Sequence, residues 1–311
     1  MLGKEVCMIK SFHEIVNKVK NNKMKTIAVA AAEDEQVLEA VKAAKEQSIA
    51  DAILVGDEIK IIQMAKKIEM DISQFKIINE KDRNNTSITA VELVSSGQAD
   101  MLMKGFVDTA TFLKAVLDKQ AGLRTGRLMS HVAVFEIPGY DRLILLTDAA
   151  FNINPDLKVK LELINNAVEV AKAVEIQIPR VAAICAVELV NPEMYATVDA
   201  AILSKMNERG QIKGCIVDGP LAIDNALSEE AAKHKNITGE VAGKADILLL
   251  PNIEAANSVY KTLTYTTCCQ NGGIVMGTSA PVVLTSRADS FESKLYSIAL
   301  AALVPTARQG E

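Results

Sequence analysis

The chain contains no tryptophan, and aromatic side chains make up only 4% of its residues. Apolar residues still reach 49%, so a full core has to be assembled from Ala, Val, Ile and Leu. A strong charge of either sign is also missing. The formal net charge of −5 argues against a general nucleic-acid surface and leaves room for a local basic pocket holding an anion. No apolar run is long enough to cross a membrane as a helix. The first residues lack a signal-type apolar segment, so no export is expected. Met8 is a candidate natural start, with residues 1–7 a leader before it.

Metal- and thiol-based chemistry finds little to work with. His13, His131 and His234 stand apart and read as structural or solvated. Cys7, Cys185, Cys215, Cys268 and Cys269 are odd in number and show no CxxC or ligand spacing, which fits reduced thiols in a cytoplasmic protein. Cys268 and Cys269 lie in a helical pattern and are expected to be buried packing. There is no GxxxxGK[ST] loop, no GxGxxG after the first strand and no GxSxG elbow. No metal site is expected.

What is present is alternation. Short β-rich runs at Thr26 to Ala31, Ala52 to Val55, Lys76 to Ile78 and Asp100 to Met103 are separated by helical patterns such as Glu35 to Glu46 and Ser87 to Ser95. This is the mark of βαβ units on a parallel sheet. From His131 the pattern changes to a hairpin, HVAVFEI and RLILLT around Pro138-Gly139. Alternation then resumes with helix Lys158 to Val174, strand Arg180 to Cys185, helix Tyr195 to Glu208, and strands Cys215 to Val217 and Asp246 to Leu250. Strands near Ile274 and Val282 and a helix from Phe291 follow. The expectation is an α/β protein of two lobes in intimate contact, one of residues 1–130 plus 275–311 and one of residues 131–274.

In open parallel sheets ligands sit beyond the carboxyl ends of strands, so the residues after each strand are the candidates. These are Lys104, Gly105, Asp108, Thr109 and Thr111; Thr147, Asp148, Asn152 and Asn154; Asp218, Gly219 and Pro220; Pro251, Asn252, Glu254 and Asn257; and Thr285, Ser286 and Arg287. Asp, Asn, Ser and Thr at a helix start ordinarily cap it. Two features exceed capping. Lys104 and Arg287 are cations where a cap would favour an acid, and FNINPD (Phe151 to Asp156) holds more Asn than one cap needs. A strand end with Thr285, Ser286 and Arg287 ahead of a helix is anion-binding chemistry: hydroxyls donate and the guanidinium forks onto oxyanions. GLRTGR (Gly122 to Arg127), with Arg127 and nearby Ser130, reads either as a phosphate site for a nucleotide-like ligand or as a solvated loop.

Taken in order, MLMKGFVDTATFLKAV, TDAAFNINPD, VDGPLAIDNAL, AGKADILLLPNIEAANSVYKTL and APVVLTSRADS resemble the phosphate acetyltransferase and phosphate butyryltransferase family. The resemblance runs from about Met24 to Ala302. GRLMSHVAVFE and MKGFVDTATFLKAVLD look more like the butyryl-type branch. The resemblance implies two three-layer α/β/α lobes with a cleft between them, similar to the isocitrate and isopropylmalate dehydrogenases. It implies reversible transfer of an acyl group between coenzyme A and inorganic phosphate, with coenzyme A as substrate, no resident cofactor and a homo-oligomer built from dimers. It also implies that Ser286 and Arg287 bind the phosphate and the acyl oxygen. Asp148, Asn152 and Asn154 match one cleft run, and Asp218, Asn252 and Asn257 match further cleft positions.

The chain departs from the acetyl-type pattern at Ser293, where an aspartate is expected as the base for the thiol. Glu292 and Asp289 are the substitutes in the same turn, with Asp289 expected near the helix cap and Asp148 next in order. Two other readings are open. A decarboxylating NAD-dependent dehydrogenase would need an acidic metal cluster and a cofactor loop, and neither is evident. An acyl-CoA-sensing module would not need the cleft residues that are kept.

Overall fold

The computed structural model describes residues 8–286 and 289–305. In chain order the first elements are α1 (Phe12–Lys20), β1 (Lys25–Ala30), α2 (Glu35–Glu46), β2 (Ala50–Gly56), α3 (Glu58–Lys67), β3 (Lys76–Asn79), α4 (Arg83–Ser95), β4 (Met101–Lys104) and α5 (Thr109–Val116). Then come β5 (Ser130–Glu136), β6 (Ile144–Thr147), α6 (Leu157–Ala173), β7 (Arg180–Ile184), α7 (Tyr195–Glu208), β8 (Ile216–Leu221), α8 (Ile223–Leu227), α9 (Glu229–His234), β9 (Ile247–Leu249) and α10 (Ile253–Thr266). The last are β10 (Gln270–Met276), β11 (Val282–Val283) and α11 (Phe291–Leu303). The expected α/β alternation is the one observed. Among the described residues no helix is long and apolar enough to cross a membrane.

The chain divides into two compact units. One holds Phe12–Met129 and the described residues from Asn271 on; the other holds Ser130–Gln270 with residues 8–11, where the Ile9 N–H donates to the Val174 carbonyl.

In the first unit the strand order is β3-β2-β1-β4-β11-β10. All neighbours are parallel except β10 and β11. The central strands IAVA and MLM are apolar throughout because helices cover them in two groups. α1, α2 and α11 pack together, and α4 packs with α5 and against β1, β2 and β4. With few aromatics, the packing is aliphatic: Ile15, Ile27, Leu38, Leu54, Met101 and Leu102 are fully buried. Phe12 stacks on Tyr296, with ring centroids 4.5 Å apart. The carboxyl end of β4 passes so close to β1 that a Cβ on Gly105 would lie 2.2 Å from the Ala31 carbonyl oxygen. Only glycine fits there.

In the second unit the order is β5-β6-β9-β7-β8. β5 and β6 form the expected antiparallel hairpin, with Ala133 opposite Leu146; the other neighbours are parallel. Its core joins Phe135, Leu146, Ala182, Leu248 and Ala256.

Helix starts follow capping rules. Asp34, Asp108, Asp156 and Asn252 each accept the N–H of the third residue on. Two expectations are corrected. α10 ends at Thr266, so Cys268 and Cys269 follow the helix rather than lying in it, and Cys268 is exposed. β8 runs on to Leu221, so Asp218, Gly219 and Pro220 lie within a strand instead of beyond its end. The apolar positions Pro220 and Leu221 extend the buried pattern past the polar Asp-Gly pair.

Candidate functional site

In the first unit the structure places two of the expected strand ends side by side. β4 and β11 are parallel neighbours with Val283 opposite Met103. The residues that follow, Lys104 and Gly105 on one and Thr285 and Ser286 on the other, therefore leave the same edge of the sheet. Lys104 is buried, and its Nζ donates to the carbonyls of Gly105 and Val107 at 3.2 and 3.1 Å. Its ammonium thus holds its own loop. Thr109 is exposed at the first turn of α5, whose cap is Asp108.

Thr285 is buried and Ser286 exposed. The Ser286 N–H donates to Asp289 Oδ2 at 2.7 Å, and the Asp289 N–H donates to the Ser286 carbonyl at 3.2 Å. These two bonds join Ser286 to Asp289 ahead of α11. Arg287 lies outside the described residues. Ser290, not Asp289, caps α11, accepting from the Ser293 N–H at 3.3 Å. Asp289 is buried instead, and its Oδ1 has no hydrogen-bond partner among the described residues. The expectation of a capping acid is corrected: Ser290 stands one residue nearer the helix and takes the cap, and the Asp289 carboxylate turns back onto the Ser286 N–H. Glu292 is exposed in the first turn of α11.

One residue here escaped the sequence reading. Lys294, on α11, is only 2% exposed. Its Nζ donates to the Ser286 carbonyl at 3.3 Å, to the Asp289 carbonyl and to Gln36 Oε1 at 3.1 Å. Burial pushes its pKa down, opposed by the Asp289 and Asp34 carboxylates. A signal existed, since a lysine in the opening turns of an apolar helix sits at the end where the dipole favours acids. Glu33, just past β1, is also buried, with Oε2 unpartnered among the described residues.

The GLRTGR loop goes elsewhere. Thr125 Oγ1 donates to the Gly277 carbonyl at 2.6 Å, and the Arg127 N–H donates to Thr125 Oγ1 at 3.2 Å. This ties the loop to the turn between β10 and β11, at the other end of β11 from Ser286. The Arg127 side chain is exposed.

In the second unit Asp148 is the hub. Buried at the end of β6, it accepts five hydrogen bonds. Oδ1 takes the N–H groups of His131, Ala150 and Phe151 at 3.2, 2.9 and 3.3 Å. Oδ2 takes the Asn152 N–H at 3.2 Å and Asn152 Nδ2 at 2.6 Å. β9 lies beside β6, with Thr147 opposite Leu249, so Asn252 leaves the same edge. It caps α10 through the Ala255 N–H at 2.9 Å, and Asn257 Nδ2 reaches across to the Ala149 carbonyl at 3.0 Å. Asn154 is exposed on the same loop. Asp148, Asn152, Asn154, Asn252 and Asn257 are thus brought together.

Ser130 and Asp218 are not part of that group. Ser130 is fully buried, its hydroxyl accepting from Asn166 Nδ2 at 2.8 Å. Asp218 lies on β8, with β9 and β7 standing between β6 and its strand. Its Oδ1 accepts from the Gly219 N–H at 2.8 Å. Buried His131 stands edge-on to Tyr260, with ring centroids 6.0 Å apart.

The geometry offers two polar strand edges, one in each unit. The first carries hydroxyls and buried lysines, and the second carries amides arranged by one carboxylate. Among the described residues no group of His, Cys, Asp and Glu is arranged to hold a metal.

Comparison with known proteins gives these edges a context. The family described as "Phosphate acetyl/butaryl transferase" matches residues 11–87 and 80–302. A phosphate butyryltransferase of Clostridium acetobutylicum is 65% identical over 297 residues, 96% of this chain and 99% of that one. Among solved structures, a branched-chain phosphotransacylase from Enterococcus faecalis is similar with a TM-score of 0.80 at 34% identity, covering 90% of this chain and 99% of that one. A 4-hydroxythreonine-4-phosphate dehydrogenase from Burkholderia phymatum shares the fold at a TM-score of 0.51 and 15% identity, over 93% and 98% of the two chains. With the family matched along nearly its whole length, the chain belongs to the phosphate acetyl/butyryl transferase family.

Proposed function

We infer that this chain transfers a short-chain acyl group, butyryl foremost, reversibly between coenzyme A and inorganic phosphate. The observation that carries this is the near-full-length identity to a phosphate butyryltransferase. Coenzyme A and phosphate are then substrates.

The reaction asks for few protein groups. In the acyl-phosphate direction the coenzyme A thiol loses its proton, and the thiolate attacks the acyl carbon, because the thiolate is the nucleophile. The carbonyl oxygen gains charge and needs aimed donors. The C–O bond to phosphate breaks, and phosphate leaves with its charge held by a cation. Ser286 and Arg287 suit these last two tasks together, the hydroxyl and the planar fork both donating to the phosphate and the acyl oxygen. Thr285, Lys104 and Thr109 support that edge in this reading.

Glu292 is our base. It is exposed, while Asp289 is turned inward onto Ser286. Asp148 shapes the turn bearing Asn152, and Asn154, Asn252 and Asn257 supply the remaining amides for substrate on the second unit. Arg127, Ser130 and Asp218 have less support, given where the structure puts them.

The units themselves are read as two three-layer α/β/α lobes of the isocitrate and isopropylmalate dehydrogenase-like kind. The two helix groups of the first unit favour this. A cytoplasmic homo-oligomer built from dimers completes the reading; exposed Leu189, Val190 and Tyr195, at 79, 54 and 81% exposure, are the apolar surface in its favour.

The test is thiol release from acetyl-, butyryl- and branched acyl-CoA, with and without phosphate and with a chelator. Release that depends on phosphate, survives the chelator and is fastest for butyryl-CoA is expected, because direct attack needs only a base and a cation. Fastest release from acetyl-CoA would move the chain to the acetyl type. Acyl-CoA binding without release would make it a sensing module, and NAD reduction with a divalent metal would make it a dehydrogenase.

A further inference from the structure

A buried ammonium is costly unless each N–H finds an acceptor. Lys294 finds three, and two of them are the carbonyls of Ser286 and Asp289. The third, Gln36, belongs to the first turn of α2. Ser286 and Asp289 are also joined directly, since Asp289 Oδ2 takes the Ser286 N–H. Three elements therefore meet at one nitrogen: α2, α11 and the strand end that carries Ser286. A helix gains nothing from a lysine in its opening turns, where the macrodipole favours acids. Leu or Met would fill the same buried space without a charge to desolvate, but would leave the three acceptors unpaired.

We propose that Lys294 is a positioning residue for phosphate, fixing the Ser286 backbone so that its hydroxyl is set before the anion arrives. This rests on the reading of Ser286 as a phosphate-site residue. Misplacing a donor by a fraction of its hydrogen-bond length weakens anion binding without touching groups that hold the rest of the substrate. Lys294 does not touch phosphate itself, because its three N–H groups are occupied by the protein.

The experiment compares Lys294→Met, Gln36→Leu and Ser286→Ala in steady-state kinetics with butyryl-CoA and inorganic phosphate, each variant checked by thermal melting. Lys294→Met is expected to raise the KM for phosphate about tenfold to a hundredfold. The KM for butyryl-CoA should stay within about twofold, while the melting temperature falls, because two carbonyls and the Gln36 amide oxygen are left buried without a donor. Gln36→Leu should shift the phosphate KM in the same direction by less, and it carries the test alone if Lys294→Met does not fold. A lysine that merely supports the fold would lower the melting temperature and leave both KM values unchanged or change them together; either pattern overturns the proposal. If Ser286→Ala raises the phosphate KM while Lys294→Met and Gln36→Leu do not, the positioning role falls and the site stands. If none of the three changes it, the Ser286 site reading falls and takes the proposal with it.

Discussion

Asp148→Asn is the substitution that separates a shaping carboxylate from a reacting one. The change keeps shape and removes one acceptor. Oδ1 serves three backbone N–H groups and Oδ2 serves the two donors of Asn152. An amide oxygen can replace only one of the two. Its best orientation keeps the three backbone bonds and turns an NH2 group toward the N–H and Nδ2 of Asn152, where donor meets donor. A hydrogen bond to a charged acceptor contributes roughly 1.5–3 kcal/mol. Losing two in a half-buried turn therefore costs about 3–6 kcal/mol. At about 2–4 °C per kcal/mol for a domain of this size, the melting temperature should fall by about 10 °C. Asp156→Asn is the control. Asp156 caps α6 through the Val159 N–H on the surface, and Asn caps as well as Asp, so the change should stay within about 0.5 kcal/mol. Both variants are read by thermal scans followed by circular dichroism, alongside turnover. An Asp148→Asn protein that melts with the parent yet has lost turnover by more than about a hundredfold would refute the reasoning and make the carboxylate a participant in the chemistry.

Three further outcomes are expected. Arg287→Lys keeps the charge but not the fork, so phosphate-dependent turnover should drop by about a hundredfold; near-parent kinetics at low phosphate would remove Arg287 from the site. Glu292→Gln should lower turnover toward acyl phosphate on the order of a hundredfold, with partial recovery as pH rises and the free coenzyme A thiol ionises unaided. The same profile in Asp289→Asn instead would transfer the role. Burial pushes the Cys185 and Cys215 thiols from 9.0 up to about 11. Iodoacetamide at pH 8 should therefore label exposed Cys268 and spare these two, as peptide mass spectrometry would read. A thiol with a raised folded pKa stabilises fully below the unfolded value and loses that contribution as pH climbs through the folded one. The parent's stability should thus decline between pH 9 and 11 more than that of a Cys185→Ala, Cys215→Ala variant.

Sequence alone determined the order of elements here, because the signals are local. Helix α2 is legible to the residue from Glu35 to Glu46, since an Asp cap precedes a 3.6-residue apolar period and Gln47 and Ser48 follow it. The hairpin of β5 and β6 is legible from two apolar runs around Pro138-Gly139. The strand ends bearing Lys104, Asp148, Asn252 and Ser286 are legible because polarity switches sharply where a buried strand stops. Only the tertiary structure decided which of those polar residues stand together and what each side chain binds. Asp148 reads as a free acid until five donors are found converging on it from β5 and its own loop. The partner of Ser130 shows only when Asn166, distant in the chain, is seen on its hydroxyl. The anchor of the Arg127 loop shows only when Thr125 is seen on the Gly277 carbonyl. Lys294 went unread because its acceptors come from α2 and from backbone carbonyls, and carbonyls have no residue type. Element identity is written in nearest-neighbour periodicity and caps. Side-chain partnership depends on pairs that tertiary packing brings into hydrogen-bond reach across hundreds of residues of chain, as between Lys294 on α11 and Gln36 on α2, 258 positions apart.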